Sequence, residues 1–474
     1  MTTDYLYRFR PIHAVLDGFH ELENQEIYFS ELNNLNDPME GFRNIYWKGD
    51  TIVWRNFFQH YLLNLLQSII AMCIDGENFH IDICNHFIFF TDEDFKETKV
   101  KDIYENICNN FLKKNTIKNL IVFLSSIERK IKREELSCYL QNIHLFAIST
   151  ILNELEKHDI KLVKDIDQFH SQAISQIKAI DKIMHLSKQS SLLINDIFFP
   201  LSLIGSELKI IYEFNNPIVK KKGWYFILRN FINNYITALE QILYPKYYIS
   251  CFVSNPTDAS MWGTYGDSHK GVSLKFKTLK KHNKLSLNLD TPNEIYRHQN
   301  KNDTICDNRT YYFEKVQYSG KFPEIDFFSS IGNLSTSKLD YFWYRSKDGK
   351  ISSKKQEILD NIDDWRQKYW DKFSTNYKIK LPEWQHEQEY RLVLPSGMCD
   401  FTKKESRKLK YQFSDLSGII FGIRTSDEDK IRIIKIIKDK CSKEKRDDFE
   451  FFQTYYSTRT KKIELYKLSL IKFS

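Results

Sequence analysis

The period of the apolar pattern changes twice along this chain, and that change limits the folds open to it. Near the amino terminus Tyr5-Leu6-Tyr7-Arg8-Phe9-Arg10 alternates apolar or aromatic with polar residues, the period of two expected of a strand. Pro11 ends it, residues 12–19 suit a short helix closed at Gly18, and Glu26-Ile27-Tyr28-Phe29-Ser30 reads as a second strand. The Asn/Asp/Pro-dense stretch Asn33-Asn34-Leu35-Asn36-Asp37-Pro38 then marks a turn, in which Asn36 and Asp37 either cap backbone donors or face a ligand. From about residue 51 to 240 the apolar residues recur instead at three and four. Trp54, Phe57, Phe58, Tyr61, Leu62, Leu65, Leu66, Ile69 and Ile70 predict an amphipathic helix. Similar patterns cover 103–111, 117–131, 136–155, 174–193 and 224–243. Strand patterns return at 247–253, 271–276, 311–318, 416–423 and 461–473, with an Asn/Asp turn expected at 288–292 and helices at 343–370 and 429–440, the last started by the cap-like Thr425-Ser426-Asp427-Glu428. The expectation is an α+β fold, a mixed split sheet domain interrupted by a large helical insertion. Residues 1–50 and 246–474 would form the sheet domain and 51–245 the insertion.

Composition fits that division. A chain of 474 residues with 42% hydrophobic and 28% charged residues is long for one domain and has enough apolar material for two or three cores. The formal net charge of +7 is mild at this length, so it permits an anionic ligand or nucleic acid without arguing for either. The eight cysteines form no CxxC pair and match no structural zinc spacing. His80 and His86, flanking Asp82, read as structural or exposed rather than metal-bound. No apolar leader opens the sequence and no run reaches eighteen apolar residues, so a cytoplasmic chain with free thiols and no membrane span is expected.

Three clusters carry residues suited to chemistry. Tyr7, Arg8 and Arg10 lie on the first strand; Trp262, Tyr265, Asp267 and His269 follow the strand at 247–253. Glu387, Glu389 and Arg391 enter a late strand at alternate positions, which predicts that all three share one face, either as a site or as a solvated edge with ion pairs. GxGxxG, Walker A, HExxH and GxSxG sequences are all absent, which removes the folds recognisable by those motifs. Asp37, Glu40, Glu387 and Glu389 would supply carboxylates for a Mg²⁺-dependent nuclease, if they converge. Cys251 sits in an apolar strand and reads as core rather than nucleophile.

Several segments, in order, resemble the domain of unknown function DUF2971. These are the strands at 5–9 and 26–30, Leu35-Asn36-Asp37-Pro38-Met39-Glu40, Cys251-Phe252, the run from Met261 through Trp262, Tyr265 and His269 to Val272, Glu387-Gln388-Glu389-Tyr390-Arg391-Leu392 and Gly418-Ile419-Ile420-Phe421-Gly422. The order of Tyr7-Arg8, Tyr265 and Glu387-Gln388-Glu389 is also similar to the three-part layout of ADP-ribosyltransferases, including their E-x-E element, although the Ser-Thr-Ser strand of that superfamily has no counterpart here. That resemblance implies an NAD-dependent ADP-ribosyltransferase or NAD glycohydrolase, a toxin or antiviral defence effector. Glu389, Glu387 and Tyr265 would be catalytic, and Tyr7, Arg8, Arg10, Trp262, His269 and Arg391 would bind the cofactor. It further implies a macromolecular acceptor, protein or nucleic acid. Glu389→Gln is then expected to leave the fold intact and remove turnover. The other readings are the metal-dependent nuclease and a non-enzymatic interaction module whose helical insertion binds a partner.

Overall fold

The computed structural model of the chain describes residues 4–76, 79, 86–162, 166–189, 194–215, 223–282, 284–292, 306–396 and 401–473. His80, Asp82, Cys84 and Cys399 lie outside them. The architecture is α+β. The chain divides into two compact units. One comprises Met1–Phe42, Pro245–Phe322 and Ser374–Ser474; the other comprises Arg43–Tyr244 and Pro323–Phe373. The helical unit thus also takes in Pro323–Phe373, which the apolar pattern groups with the later strands.

The main sheet of the first unit has eight strands: β1 (Tyr5–Arg10), β2 (Tyr247–Val253), β3 (Val272–Lys277), β4 (Glu314–Lys315), β5 (Glu389–Pro395), β6 (Leu416–Phe421), β7 (Glu450–Ser457) and β8 (Lys462–Lys467). Their order across the sheet is β8-β7-β6-β3-β1-β2-β5-β4. The β6–β7 pair is parallel, and the helix Asp427–Glu444 makes the crossover that a parallel pair requires. Ser426 starts that helix by accepting from the Asp429 N–H at 3.1 Å, a cap the sequence predicts. One sheet face buries Leu6, Phe252, Leu274, Leu392 and Ile419, with Ile433 and Ile437 of the helix in the same core. The other face buries Phe9, Val253, Met261, Trp262 and Ile420.

Two central strands part company, and this positions the site. β1 and β2 share one register pair, Tyr7 with Val253. Beyond it β1 continues along β3, with Arg8 opposite Leu274 and Arg10 opposite Val272. β2 continues along β5 instead, with Cys251 opposite Arg391 and Ser250 opposite Leu392. Ser30 bridges to Ile249 at the far end of β2. A gap therefore opens between β1 and β2.

A second sheet of the same unit joins Glu26–Tyr28, Lys408–Tyr411, Lys284–Pro292, Leu279–Lys281 and Cys306–Tyr312. Residues 288–292, expected as a turn, are strand. Leu287 and Leu289 are buried while Asn288 and Asp290 bond across to Thr310 (2.9 Å) and Asn308 (2.8 Å), so tertiary pairing overrides the turn preference of Asn and Asp.

In the helical unit the helix Thr51–Asp75 is capped by Asp50, whose carboxylate accepts from the N–H groups of Ile52 (3.0 Å) and Val53 (3.1 Å). The sequence predicts an amphipathic helix here. The structure instead buries it on nearly every side, polar Asn56, Gln59, His60, Asn64 and Ser68 included. The reason is its central place among the helices Thr98–Lys113, Asn115–Ser126, Arg133–Glu156 and Phe231–Leu243, which leaves residues 56–66 no solvent face. It is also, among the described residues, the one helix long and apolar enough to cross a membrane, and 78% of its apolar window is buried inside the protein. The helix Ile194–Asn215 differs: Phe199, Leu203, Leu208, Ile210 and Phe214 are all exposed.

Candidate active site

The gap between β1 and β2 holds a cavity of about 220 Å³. Its position follows from the register. Tyr7, Val253 and Glu389 are paired in a row across β1, β2 and β5 and so share one face of the sheet. Alternation then puts Arg8 and Arg10 on the opposite face. All of these line the same cavity, because the parted strands open it through the sheet.

On the β5 side, five ionisable groups form a buried chain. Arg391 is 0% exposed. Its Nε donates to Glu389 at 2.8 Å and one Nη2 hydrogen to the other Glu389 oxygen at 3.0 Å. The remaining hydrogens reach both oxygens of Glu40 and the Tyr377 carbonyl. Five bonds account for all five guanidinium N–H groups. Lys380 Nζ lies 2.6 Å from Glu387 and 3.4 Å from Glu389. The Tyr265 hydroxyl donates to the free oxygen of Glu387 at 2.7 Å. The Glu389 N–H donates to the Tyr318 hydroxyl at 2.8 Å.

Electrostatics sorts the two carboxylates that share Arg391. Burial works to raise the Glu389 carboxyl, but Arg391 and Lys380 together outweigh it and hold it well below the usual range. At Glu40 burial wins over Arg391 and raises the carboxyl. Burial and then the Glu387 charge push the Tyr265 phenol far up, so its hydroxyl stays a donor. Burial lifts the Tyr318 phenol to about 12. Burial also drives the Cys251 thiol well above its ordinary value, which leaves it inert as a nucleophile although it touches the cavity.

On the β1 side two arginines share one carboxylate. Arg8 donates to Glu21 at 3.0 Å and to the Tyr28 carbonyl at 3.2 Å, while Arg10 clamps both oxygens of Glu21, through Nε at 2.8 Å. Glu21 is 2% exposed. Burial lowers the Arg8 guanidinium to about 10, still a cation at neutral pH.

Of the residues the sequence singles out, Tyr7, Arg8, Arg10, Tyr265, Glu387 and Glu389 line the cavity, whereas Trp262, His269 and Arg391 do not. Trp262 is a core residue, edge-on to Phe9 and bonded to the Pro256 carbonyl at 2.8 Å. His269 ends a run, Asp267-Ser268-His269, in which every φ is positive, a loop of rare backbone conformation that turns into β3. Gly422 is required beside it, since a Cβ there would meet the His269 carbonyl oxygen at 2.2 Å. Arg391 orients Glu389 and has no hydrogen left for a ligand.

Glu387 and Glu389 do not alternate along one strand, contrary to the expectation from their spacing. Glu387 closes a short helical turn, Pro382–Glu387, and Gln388 is left-handed at φ 47°, so the strand starts at Glu389. Lys380, rather than strand geometry, brings the two carboxylates together. The expectation that Glu389→Gln leaves the fold untouched also changes, because that substitution removes one charge of a buried pair. Asp37 is structural: its carboxylate accepts from the Met39 N–H at 2.9 Å and shapes the turn that delivers Glu40. The four carboxylates of the nuclease reading are thus engaged with cations or backbone. Among the described residues no group of three or more His, Cys, Asp and Glu side chains is arranged to hold a metal ion.

Lys380, Glu21 and Tyr318 escape a sequence reading. Each lies in a short element with no motif, and only the fold shows its partner. Neither a curated protein nor a solved structure matches the chain. The pieces at 5–40, 251–252 and 418–422 fall outside the family match, while Tyr265, Lys380, Glu387, Glu389 and Arg391 fall within it. Residues 261–392 match the family model DUF2971, a protein of unknown function, so this chain carries a DUF2971 region that includes the glutamate side of its cavity.

Proposed function

We propose that the sheet unit binds a nicotinamide dinucleotide in the cavity and cleaves the bond between nicotinamide and ribose. The C1′–N bond breaks with its electron pair leaving on nicotinamide. A C1′–O bond then forms to water or to a hydroxyl of an acceptor, which releases its proton. The observation that carries this reading is Glu389, a carboxylate on the cavity wall held ionised by Arg391 and Lys380. Positive charge grows on the ribose as the bond breaks. A fixed carboxylate lowers the energy of that transition state more than of the ground state. Glu387, held by Lys380 and Tyr265, is the second carboxylate at the same place. A volume of about 220 Å³ lies below the ~300 Å³ lower end of ordinary ligand sites, so on this reading the cavity takes only part of such a ligand.

The test is nicotinamide release from NAD by the purified protein, with Glu387→Gln and Glu389→Gln alongside and melting midpoints as folding controls. Release by the wild type, lost in a folded variant, supports the reading. Undiminished release by both folded variants, or neither release nor a shift of the melting midpoint with NAD, overturns it.

A further inference from the structure

The helix Ile194–Asn215 carries its polarity inverted. Phe198, Ser202, Lys209 and Glu213 recur at intervals of four and seven and so lie along one side of it. That side meets the rest of the helical unit. Phe198 is buried with its ring centre 6.1 Å from that of Tyr139, the Tyr225 hydroxyl donates to Glu213 at 2.5 Å, and Ser202 and Lys209 are partly covered. The side facing solvent is apolar. Leu201, Ile204, Leu208 and Ile211 are 48% to 60% exposed, and a second stripe of Phe199, Leu203, Ile210 and Phe214 is 55% to 83% exposed. A surface helix ordinarily buries its apolar stripe and shows water its polar one. These side chains together offer on the order of 900 Å² of apolar surface, more than the roughly 300–600 Å² largest patch of an ordinary monomer and close to what one partner gives a stable interface.

The spacing says what covers it. Leu201, Ile204, Leu208 and Ile211 follow one another at three, four and three, the a and d positions of two heptads, with Leu at a and Ile at d. Such a seam takes a second helix of the same spacing, and the same helix on another copy of the chain supplies one. Leu at a with Ile at d favours bundles of about three or four helices over pairs. In such a bundle each helix meets two neighbours, which gives the second stripe a partner too. Two heptads are short of the roughly three or four that sustain a coiled coil, so that second contact is needed. From Phe198 onward the charges of the helix are Glu207, Lys209 and Glu213, and Lys209 lies 4.0 Å from Glu213 on the covered side. No cationic rim is left to draw this stretch to an anionic lipid surface. We infer that this helix is the self-association element of the protein, through which about three or four copies of the chain assemble, seam against seam.

The experiment is light scattering on the purified full chain as it leaves a size-exclusion column. The wild type should show about three or four times the mass of one chain. Ile204→Glu with Leu208→Glu puts charges into the seam at two exposed positions, and should give the mass of one chain with the helical circular dichroism retained. Should the charges disturb the helix, Ile204→Ser with Leu208→Ser is expected to show the same loss of mass. Leu279→Glu, a change at an apolar residue 45% exposed in the sheet unit, should leave the assembly intact. A wild type with the mass of one chain or of two overturns the inference, and so does an assembly that survives both seam variants. A single chain that co-sediments with phosphatidylcholine vesicles overturns it as well and gives the helix to a lipid surface.

Discussion

The two units bury polar groups in different ways. In the helical unit two histidines repeat one arrangement. His60 contacts the Tyr235 hydroxyl through Nδ1 (2.9 Å) and the Ile88 carbonyl through Nε2 (3.0 Å); His144 contacts the Tyr61 hydroxyl and the Ile227 carbonyl at 2.6 Å each. Burial pushes both imidazoles down to about 4, so they are neutral at pH 7. A neutral ring that donates Nε2–H to a carbonyl and accepts a tyrosine proton at Nδ1 is fully satisfied with no charge buried. In the sheet unit the buried groups of the cavity wall are formal charges, held in a chain from Glu40 through Arg391, Glu389 and Lys380 to Glu387. Matched neutral pairs fix a core. A buried charge chain is poor stabilisation per group, and its place on a cavity wall points to chemistry.

Breaking the charge chain should give the largest effect. Arg391→Met leaves Glu40 buried without its ion-pair partner and Glu389 with Lys380 alone, and the sheet unit should lose about 3–5 kcal/mol in a denaturant titration. A loss below 1 kcal/mol would show that the two carboxylates are solvated or protonated. The acid response sharpens the comparison next. The folded-state values of His60 and His144 lie below their unfolded value near 6.5, so the unfolded chain binds more protons between pH 6.5 and about 4. The stability they contribute is complete above pH 6.5. It declines as pH falls through that window by at most about 1.4 kcal/mol per pH unit for each histidine. Glu389 is depressed instead, so its contribution is intact above its unfolded value near 4.3 and is lost only below it. Hydrogen exchange at pH 5 should therefore loosen the helical unit before the sheet unit, and the reverse order would refute the assignment of neutral histidines.

Smaller again is Tyr61→Phe, which leaves the Nδ1 of His144 without its donor. We expect about 1–3 kcal/mol of destabilisation and no change in nicotinamide release. The smallest effect belongs to Tyr318→Phe, which removes only the acceptor for the Glu389 N–H. About 1 kcal/mol in the melting curve is expected, and a null result would mean that water replaces the hydroxyl.

The sequence by itself determined what short range can determine. Period two marks β1 and β3, a short apolar run marks β2, period three and four marks the helical unit, and Ser426 signals the start of the helix Asp427–Glu444, because side chains a few residues apart fix which face an element buries. The neighbours Glu389 and Arg391, two apart on β5, were legible as a same-face pair for the same reason. Tertiary structure decided the rest. That the middle of Thr51–Asp75, residues 56–66, has no solvent face depends on four other helices, and that residues 288–292 stay in a strand depends on partners at 308–310. Periodicity already places Arg8 and Glu389 on strands. Yet the pairing of Tyr7 with Val253 and of Val253 with Glu389 is what sets them on opposite faces of one sheet, and the parting of β1 from β2 is what lets them line one cavity. Lys380 and Glu21 carry no motif, and each acquires its role only from a partner that the folded chain brings within a hydrogen bond.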